Sequence, residues 1–379
     1  MKQGQIQKIV FFTFLIGAFF TSAPSFSQQK DTTNSGASIV KNLTALTISG
    51  FVDAYYAYYT DSVGTNNYQK FPSISPRSNQ VGLNIALLTA QYDAEKVRGI
   101  VALQFGDTPK STWSGTYNNI MEAHAGMRLC KKLWIDAGFF RTHFGTEGLL
   151  PKENITSSIS VNTFYEPYFE SGVRLNYNPS DKLAINLYAL NGYNVYEDNN
   201  KKKSFGMLVT YALGDKGNVG YSNYIGDDSP DSDSLPRTLI HQNLFFNYQV
   251  KKLKIQIGED YCIKANADIA TGNETATMYS GIFSLKYQIK EKFAVYGRGE
   301  GFNDPQGIMS GVITDKKGKL TGLKLWGTTL GVEYKPTENS YVRLEGRQLL
   351  MNEDQEIFRW NGKNEDTRME MLINIGISF

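Results

Sequence analysis

From Leu46 onward, apolar and polar residues alternate in segments rich in Tyr, Phe, Val, Ile and Leu, parted by stretches rich in Gly, Asn and Asp. A period of two puts successive side chains on opposite faces and marks β-strands. The pattern predicts sixteen strands: 46–59, 78–92, 97–106, 119–130, 133–144, 169–178, 183–193, 203–213, 219–227, 238–250, 253–264, 277–289, 293–302, 322–334, 341–351 and 368–379. Their connections alternate between two length classes. The short ones include 93–96, 131–132, 179–182, 214–218, 251–252, 290–292 and 335–340; the long ones include 60–77, 145–168, 303–321 and 352–367. A membrane barrel with tight periplasmic turns on one rim and free loops on the other explains this rhythm, and an even strand count returns both ends to the same side. A soluble sandwich has no reason to sort loop lengths by parity. The expected fold is therefore all-β, an antiparallel up-and-down transmembrane barrel.

Within strands the faces separate cleanly. In the last, Met369, Met371, Ile373, Ile375, Ile377 and Phe379 share one phase, with Arg368, Glu370, Asn374, Gly376 and Ser378 on the other. One face suits hydrocarbon and the other water. Even-numbered strands end on Tyr92, Tyr177, Tyr211, Tyr248, Tyr287, Tyr334 and Phe379, where a ring can sit at headgroup level; Leu129 is the exception. Tyr92 is out of phase with Val81, Leu83, Ile85 and Leu87, which a bulge or a miscounted turn would explain.

Composition narrows the class. The chain has 379 residues, 20% of them charged, and after residue 27 no apolar run reaches the roughly 18 residues of a spanning helix. Lys2 and Lys8 precede the apolar run Ile9 to Phe20, and Ser25-Phe26-Ser27 supplies small residues for a signal peptidase. Residues 1–27 are thus expected to be a cleaved leader, 28–45 a periplasmic segment and 46–379 the barrel. Formal charge is +2, and both excess positives lie in the leader; a nucleic-acid partner is not indicated. Cys130 and Cys262 fall on strands far apart in order and are expected to be free thiols.

The stretches Glu166-Pro167, Phe169-Glu170-Ser171-Gly172-Val173-Arg174-Leu175-Asn176-Tyr177, Asn191-Gly192-Tyr193 and Arg298-Gly299-Glu300-Gly301-Phe302-Asn303-Asp304, with the opening Ser49 to Tyr56, resemble the OmpL-like outer-membrane β-barrel porins of the Bacteroidota type. Lys203-Ser204 and Tyr224 to Asp227 share the likeness, which spans nearly the whole mature chain. It implies a diffusion porin in a Gram-negative outer membrane, with no enzymatic activity and no cofactor. Its partners would be outer-membrane lipid, small polar solutes and the barrel assembly machinery, which would read the terminal Phe379. A homo-oligomer is compatible with the sequence, but no wall segment marks its interface.

A porin's working residues set lumen width and field. Strand phase projects Arg98, Glu122, Arg128, Glu170, Arg174, Lys254, Asp260, Lys286, Arg298, Glu300, Arg343, Glu345, Arg347, Arg368 and Glu370 inward. These charges either create a transverse field that selects solutes or brace a wide barrel as ion pairs. Arg174, Arg298, Arg343 and Arg347, all mid-strand, are the leading candidates for the first role. The third long connection, 145–168, carries Glu147, Lys152, Glu153 and Glu166; by analogy with sixteen-strand general porins it is a candidate inward-folded constriction. His124, His143 and His241 are too scattered for a metal site, His124 being expected opposite position 139. The alternative function is a surface binding or adhesion barrel acting through its external loops.

Overall fold

The computed structural model describes residues 45–379 apart from Pro72. The expected leader, and the segment 28–45 apart from its last residue, lie outside the described residues. Sixteen strands close into one antiparallel barrel. In chain order they are β1 (Leu46–Tyr59), β2 (Gln80–Asp93), β3 (Val97–Phe105), β4 (Ile120–Cys130), β5 (Leu133–Arg141), β6 (Phe169–Tyr177), β7 (Leu183–Leu190), β8 (Ser204–Ala212), β9 (Gly217–Gly226), β10 (Leu239–Val250), β11 (Leu253–Lys264), β12 (Ala276–Lys290), β13 (Phe293–Asn303), β16 (Lys324–Tyr334), β17 (Ser340–Met351) and β20 (Thr367–Ser378). Strands β14 (Ile313–Thr314) and β15 (Leu320–Thr321) form a small hairpin inside one long loop, and β18 (Phe358–Trp360) and β19 (Lys363–Glu365) form another. Helices α1 (Asp107–Thr112) and α2 (Val161–Phe164) lie in the second and third long connections.

Closure comes from β1 pairing with β20, from Phe51 opposite Ser378 to Tyr59 opposite Glu370. Gly50 and Phe379 exchange both backbone hydrogen bonds, at 2.7 and 3.0 Å. No barrel edge is left to face lipid with unpaired peptide groups, which is the condition for crossing hydrocarbon with strands. Among the described residues no helix is long and apolar enough to cross a membrane. The outer wall follows the predicted phase: Met369, Met371, Ile373, Ile375, Ile377 and Phe379 are exposed while Arg368, Glu370 and Asn374 are buried inside.

Among the described strands the ladders shift register at four places, through extra residues at Asn84, Met121, Leu129 and Ile289; those at Asn84 and Leu129 explain the misfits in the sequence pattern. Asp53 pairs with Ile85 but Ala54 with Leu83, so Asn84 is an extra residue in β2. The phase flips there. Ile85 is buried in the lumen, Val81 and Leu83 face out before the bulge, and Leu88 faces out after it, in phase with Tyr92. The second lies at Leu129: Arg128 pairs with Trp134 and Cys130 with Leu133. That extra residue moves His124 opposite Gly138 rather than position 139. Cys130 is exposed near the short-turn rim, Cys262 is buried, and both are free.

Gly172, within the family-like stretch on β6, has a φ of +153°, and an added Cβ would lie 2.0 Å from the carbonyl oxygen of Ala189 on β7. Both the backbone conformation and the space demand glycine. Gly172→Ala is expected to cost about 1–3 kcal/mol, read as a lower urea midpoint of the refolded barrel in lipid or detergent; an unchanged midpoint would contradict this.

Candidate functional site

The third long loop turns into the barrel. It leaves β5, and Thr146 settles against Gly258 on β11, where a Cβ would meet its side chain at 2.0 Å. Gln256 Nε2 donates to the Thr146 carbonyl at 2.6 Å, and Asn243 Nδ2 to its Oγ1 at 2.6 Å. From there the loop runs past β13, β16 and β17. Glu345 receives the backbone amides of Ser157 and Ser158 at 2.6 and 2.9 Å, and Glu300 that of Val161 at 2.7 Å. Arg343 donates to the carbonyls of Pro151, Asn154 and Thr156 at 2.8 to 3.1 Å. Within the loop, Glu147 accepts from the Ser160 amide and hydroxyl, and Ser160 in turn caps α2 by accepting the Thr163 amide. Arg298 ties loop to wall, donating to Glu147 at 2.8 Å, Thr156 Oγ1 at 2.7 Å and the Ser158 carbonyl at 2.7 Å. A buried chain without secondary structure must satisfy its peptide groups somewhere; here the wall charges do so.

The inward-projected residues therefore divide by access to water. Arg298, Glu300, Arg343, Glu345, Arg347, Arg368, Glu370 and Glu170 are all at most 5% exposed. Five of them form a continuous network with Glu147: Arg298 bridges Glu147 and Glu300, Arg347 grips Glu300 through Nε and Nη2 at 2.9 and 2.8 Å and reaches Glu370 at 3.5 Å, and Arg368 holds Glu370. Of the four leading candidates, Arg298 and Arg343 thus hold the loop directly, and Arg347 acts through Glu300, which receives the Val161 amide. The fourth, Arg174, faces water with Arg98, Glu122 and Arg128 on the opposite wall, and Lys286 is reachable from the short-turn side. On that wall Arg98 (2.6 Å) and Arg174 (3.0 Å) share Asp136. Gly126 on β4 lies between them, its missing side chain leaving room for Asp136 to reach across. Arg98 and Arg128 also stack on Trp134, 4.5 and 4.8 Å from its ring centre. Asp136 and Trp134 share the inward phase of β5, so their place was readable from alternation although the projection omitted them.

The four loop charges separate likewise. Glu147 and Glu166 are buried. Burial first, and then the neighbouring carboxylates of Asp260 and Glu147, push the Glu166 pKa far above the ordinary carboxylate range, which favours its protonated form. Lys152 rests its ammonium 4.6 Å above the Phe51 ring, and burial lowers its pKa. Glu153 pairs with Arg141 at 2.6 Å.

Each histidine lies against a carboxylate. His124 meets Glu122 at 3.0 Å and His241 meets Asp260 at 3.3 Å. His143, at the root of the loop, is fully buried with Glu170, its Nδ1 2.8 Å from one carboxylate oxygen and its Nε2 2.7 Å from the Asn223 carbonyl. Two acceptors on two ring nitrogens suit the imidazolium. Burial depresses the His143 pKa, but Glu170 and the Asn223 carbonyl outweigh it and hold it above the ordinary 6.5. A raised folded-state pKa contributes stability fully below pH 6.5 and loses it as pH rises through that raised value. His143→Gln is therefore expected to lower stability by about 3 kcal/mol at pH 6 and by less at pH 9, measured as the urea midpoint. Equal losses at both pH values would contradict a charged His143.

None of the curated proteins matches the chain in sequence. In three dimensions it resembles solved outer-membrane barrels. The anion-selective porin from Comamonas acidovorans shares 10% identity at a TM-score of 0.61, over 88% of this chain and 99% of that one. The outer membrane channel DcaP of Acinetobacter baumannii shares 13% at 0.57, over 88% and 97%. The in-vitro folded outer membrane protein OmpT of Vibrio cholerae shares 12% at 0.56, over 88% and 97%. At these identities the likeness is one of fold. The family model described as "Putative beta-barrel porin-2, OmpL-like" matches residues 45–379, and the chain belongs to that family.

Proposed function

We propose that this outer-membrane porin passes small hydrophilic solutes passively through a lumen narrowed by its third loop. The observation that carries the reading is the inner wall: charges on β3 to β6 stay in reach of water while an ordered loop spans the rest of the interior. On the lipid side an Arg or Lys near mid-bilayer would cost about 2–4 kcal/mol, so guanidinium groups on the inner phase are consistent with a wetted passage. The working residues are then Arg98, Glu122, Arg128 and Arg174 along the water, with Lys152 and Glu153 at the loop edge. Arg298, Glu300, Arg343, Glu345 and Arg347 act indirectly, by holding the loop.

The long-loop half of the lumen is narrowed by apolar side chains. Phe144, Val161, Tyr224, Phe302, Leu349 and Phe358 belong to one buried apolar cluster drawn from strands and loops, so the expected pore is narrow. The same reading has the leader cut near Ser27 and the outward ring of Phe379, paired to β1 through Gly50, read during assembly. Covalent chemistry has no part in it: the best-formed histidine–carboxylate pair, His143 with Glu170, is closed to solutes. Reconstitution into a planar bilayer tests the proposal. Discrete steps of small conductance are expected; a folded, inserted barrel that carries no current, with ligand or cell binding residing in its loops, would replace the porin reading with the adhesion one.

A further inference from the structure

Between the third loop and the short-turn rim lies a cavity of about 630 Å³, roofed by Thr146 and Lys152 to Ile155 and walled by β9 to β12, β16 and β17. Its charges are unbalanced. Lys152, Lys254, Lys286 and Arg343 face it, against the carboxylates Glu153 and Glu333. Glu153 is already paired with Arg141, on the far side of the loop. Glu333 is shared between Lys286 at 2.5 Å and Arg343 at 2.8 Å. At the mouth Lys216 and Lys335 stand with Asp215 and Glu338, adding no net charge.

Lys254 is the informative residue. Its exposed ammonium makes no hydrogen bond or ion pair with any other described residue, and the residue sits directly across the β11–β12 ladder from Lys286, on the same face. Like charges directly opposite on a sheet face repel and are destabilising. Folding gains nothing from this juxtaposition: Lys254 anchors no loop, and the cavity carboxylates Glu153 and Glu333 are already paired elsewhere. A dissolved anion between the two ammonium groups would relieve it.

We propose that this cavity is a solute subsite for small oxyanions carrying more than one negative charge, such as phosphate or a di- or tricarboxylate, and that it makes the pore prefer anions. The inference rests on the porin reading above and names its substrate class. Bilayer recordings in a potassium chloride gradient test it. The wild-type reversal potential is expected on the chloride side, with millimolar inorganic phosphate or citrate each reducing the chloride current. Lys254→Gln is expected to weaken both effects, and Lys254→Glu to carry the reversal potential towards potassium. A charge-matched control, Lys317→Glu in the exposed β14–β15 turn, is expected to leave the selectivity as in the wild type. A neutral or cation-preferring wild type, or a Lys254→Glu pore with unchanged selectivity, would overturn the subsite while leaving the pore intact. Absence of any current from the folded wild type would overturn the porin reading itself.

Discussion

Removing Pro151 to Ser158 from the third loop should raise single-channel conductance severalfold. The segment carries the backbone groups held by Arg298, Arg343 and Glu345 and roofs the cavity on the short-turn side. Resistance in a pore is set by its narrowest section, and this loop crosses the lumen from β11 to β17. The deletion also strips partners from buried charges, so the barrel must first be shown to fold, by its heat-dependent shift in gel mobility. An equally resistive pore without the segment would mean that the narrow section lies elsewhere, in the apolar cluster of the long-loop half. A subtler variant keeps the chain length: Glu345→Gln weakens its hold on the Ser157 and Ser158 amides and is expected to give noisier, flickering steps at similar mean conductance.

The second large effect concerns stability. Arg298→Ala should cost about 3–5 kcal/mol, because it leaves Glu147 and Glu300 buried with one fewer countercharge and frees the loop carbonyl of Ser158. Arg128→Ala, on the same inner surface but exposed and without a carboxylate partner among the described residues, should lie within about 1 kcal/mol of the wild type. The comparison matters because alternation gives both arginines the same address. Urea unfolding of the two variants in the same lipid separates anchoring from lining. Equal losses would show that Arg298 is no more deeply engaged than Arg128, and the division of the wall into anchors and water-facing residues would fail.

Strand alternation and loop rhythm make most of the barrel legible in the sequence. The limits of β1 and β11 coincide with the expected ones, and most of the others differ by one to three residues. The rhythm works because lipid outside and water inside impose one rule on every strand. Departures occur where that rule is locally suspended. Extra residues at Asn84 and Leu129 shift the phase by one, visible in sequence only as the misfit of Tyr92 and the missing aromatic at Leu129. The hairpins β14–β15 and β18–β19, and helix α1, sit in loops where no hydrocarbon enforces a period.

The site was legible in part. Phase placed Arg298, Arg343 and Arg347 inside, yet phase cannot tell whether water or protein meets a side chain there. That depends on how the third loop folds, through contacts such as Glu345 with Ser157 and Glu300 with Val161, separated by more than a hundred residues. Nothing periodic announces such pairs. His143 is of the same kind: in sequence a lone histidine within the expected strand 133–144, in the fold a buried latch on Glu170 just past the end of β5.

Liposome swelling tests the central claim most directly, since it asks whether uncharged matter crosses. Vesicles carrying the folded barrel should swell in isosmotic arabinose and more slowly in glucose, with swelling falling steeply for disaccharides. Vesicles that hold their volume in every sugar, though the protein is inserted and closed, would contradict the account.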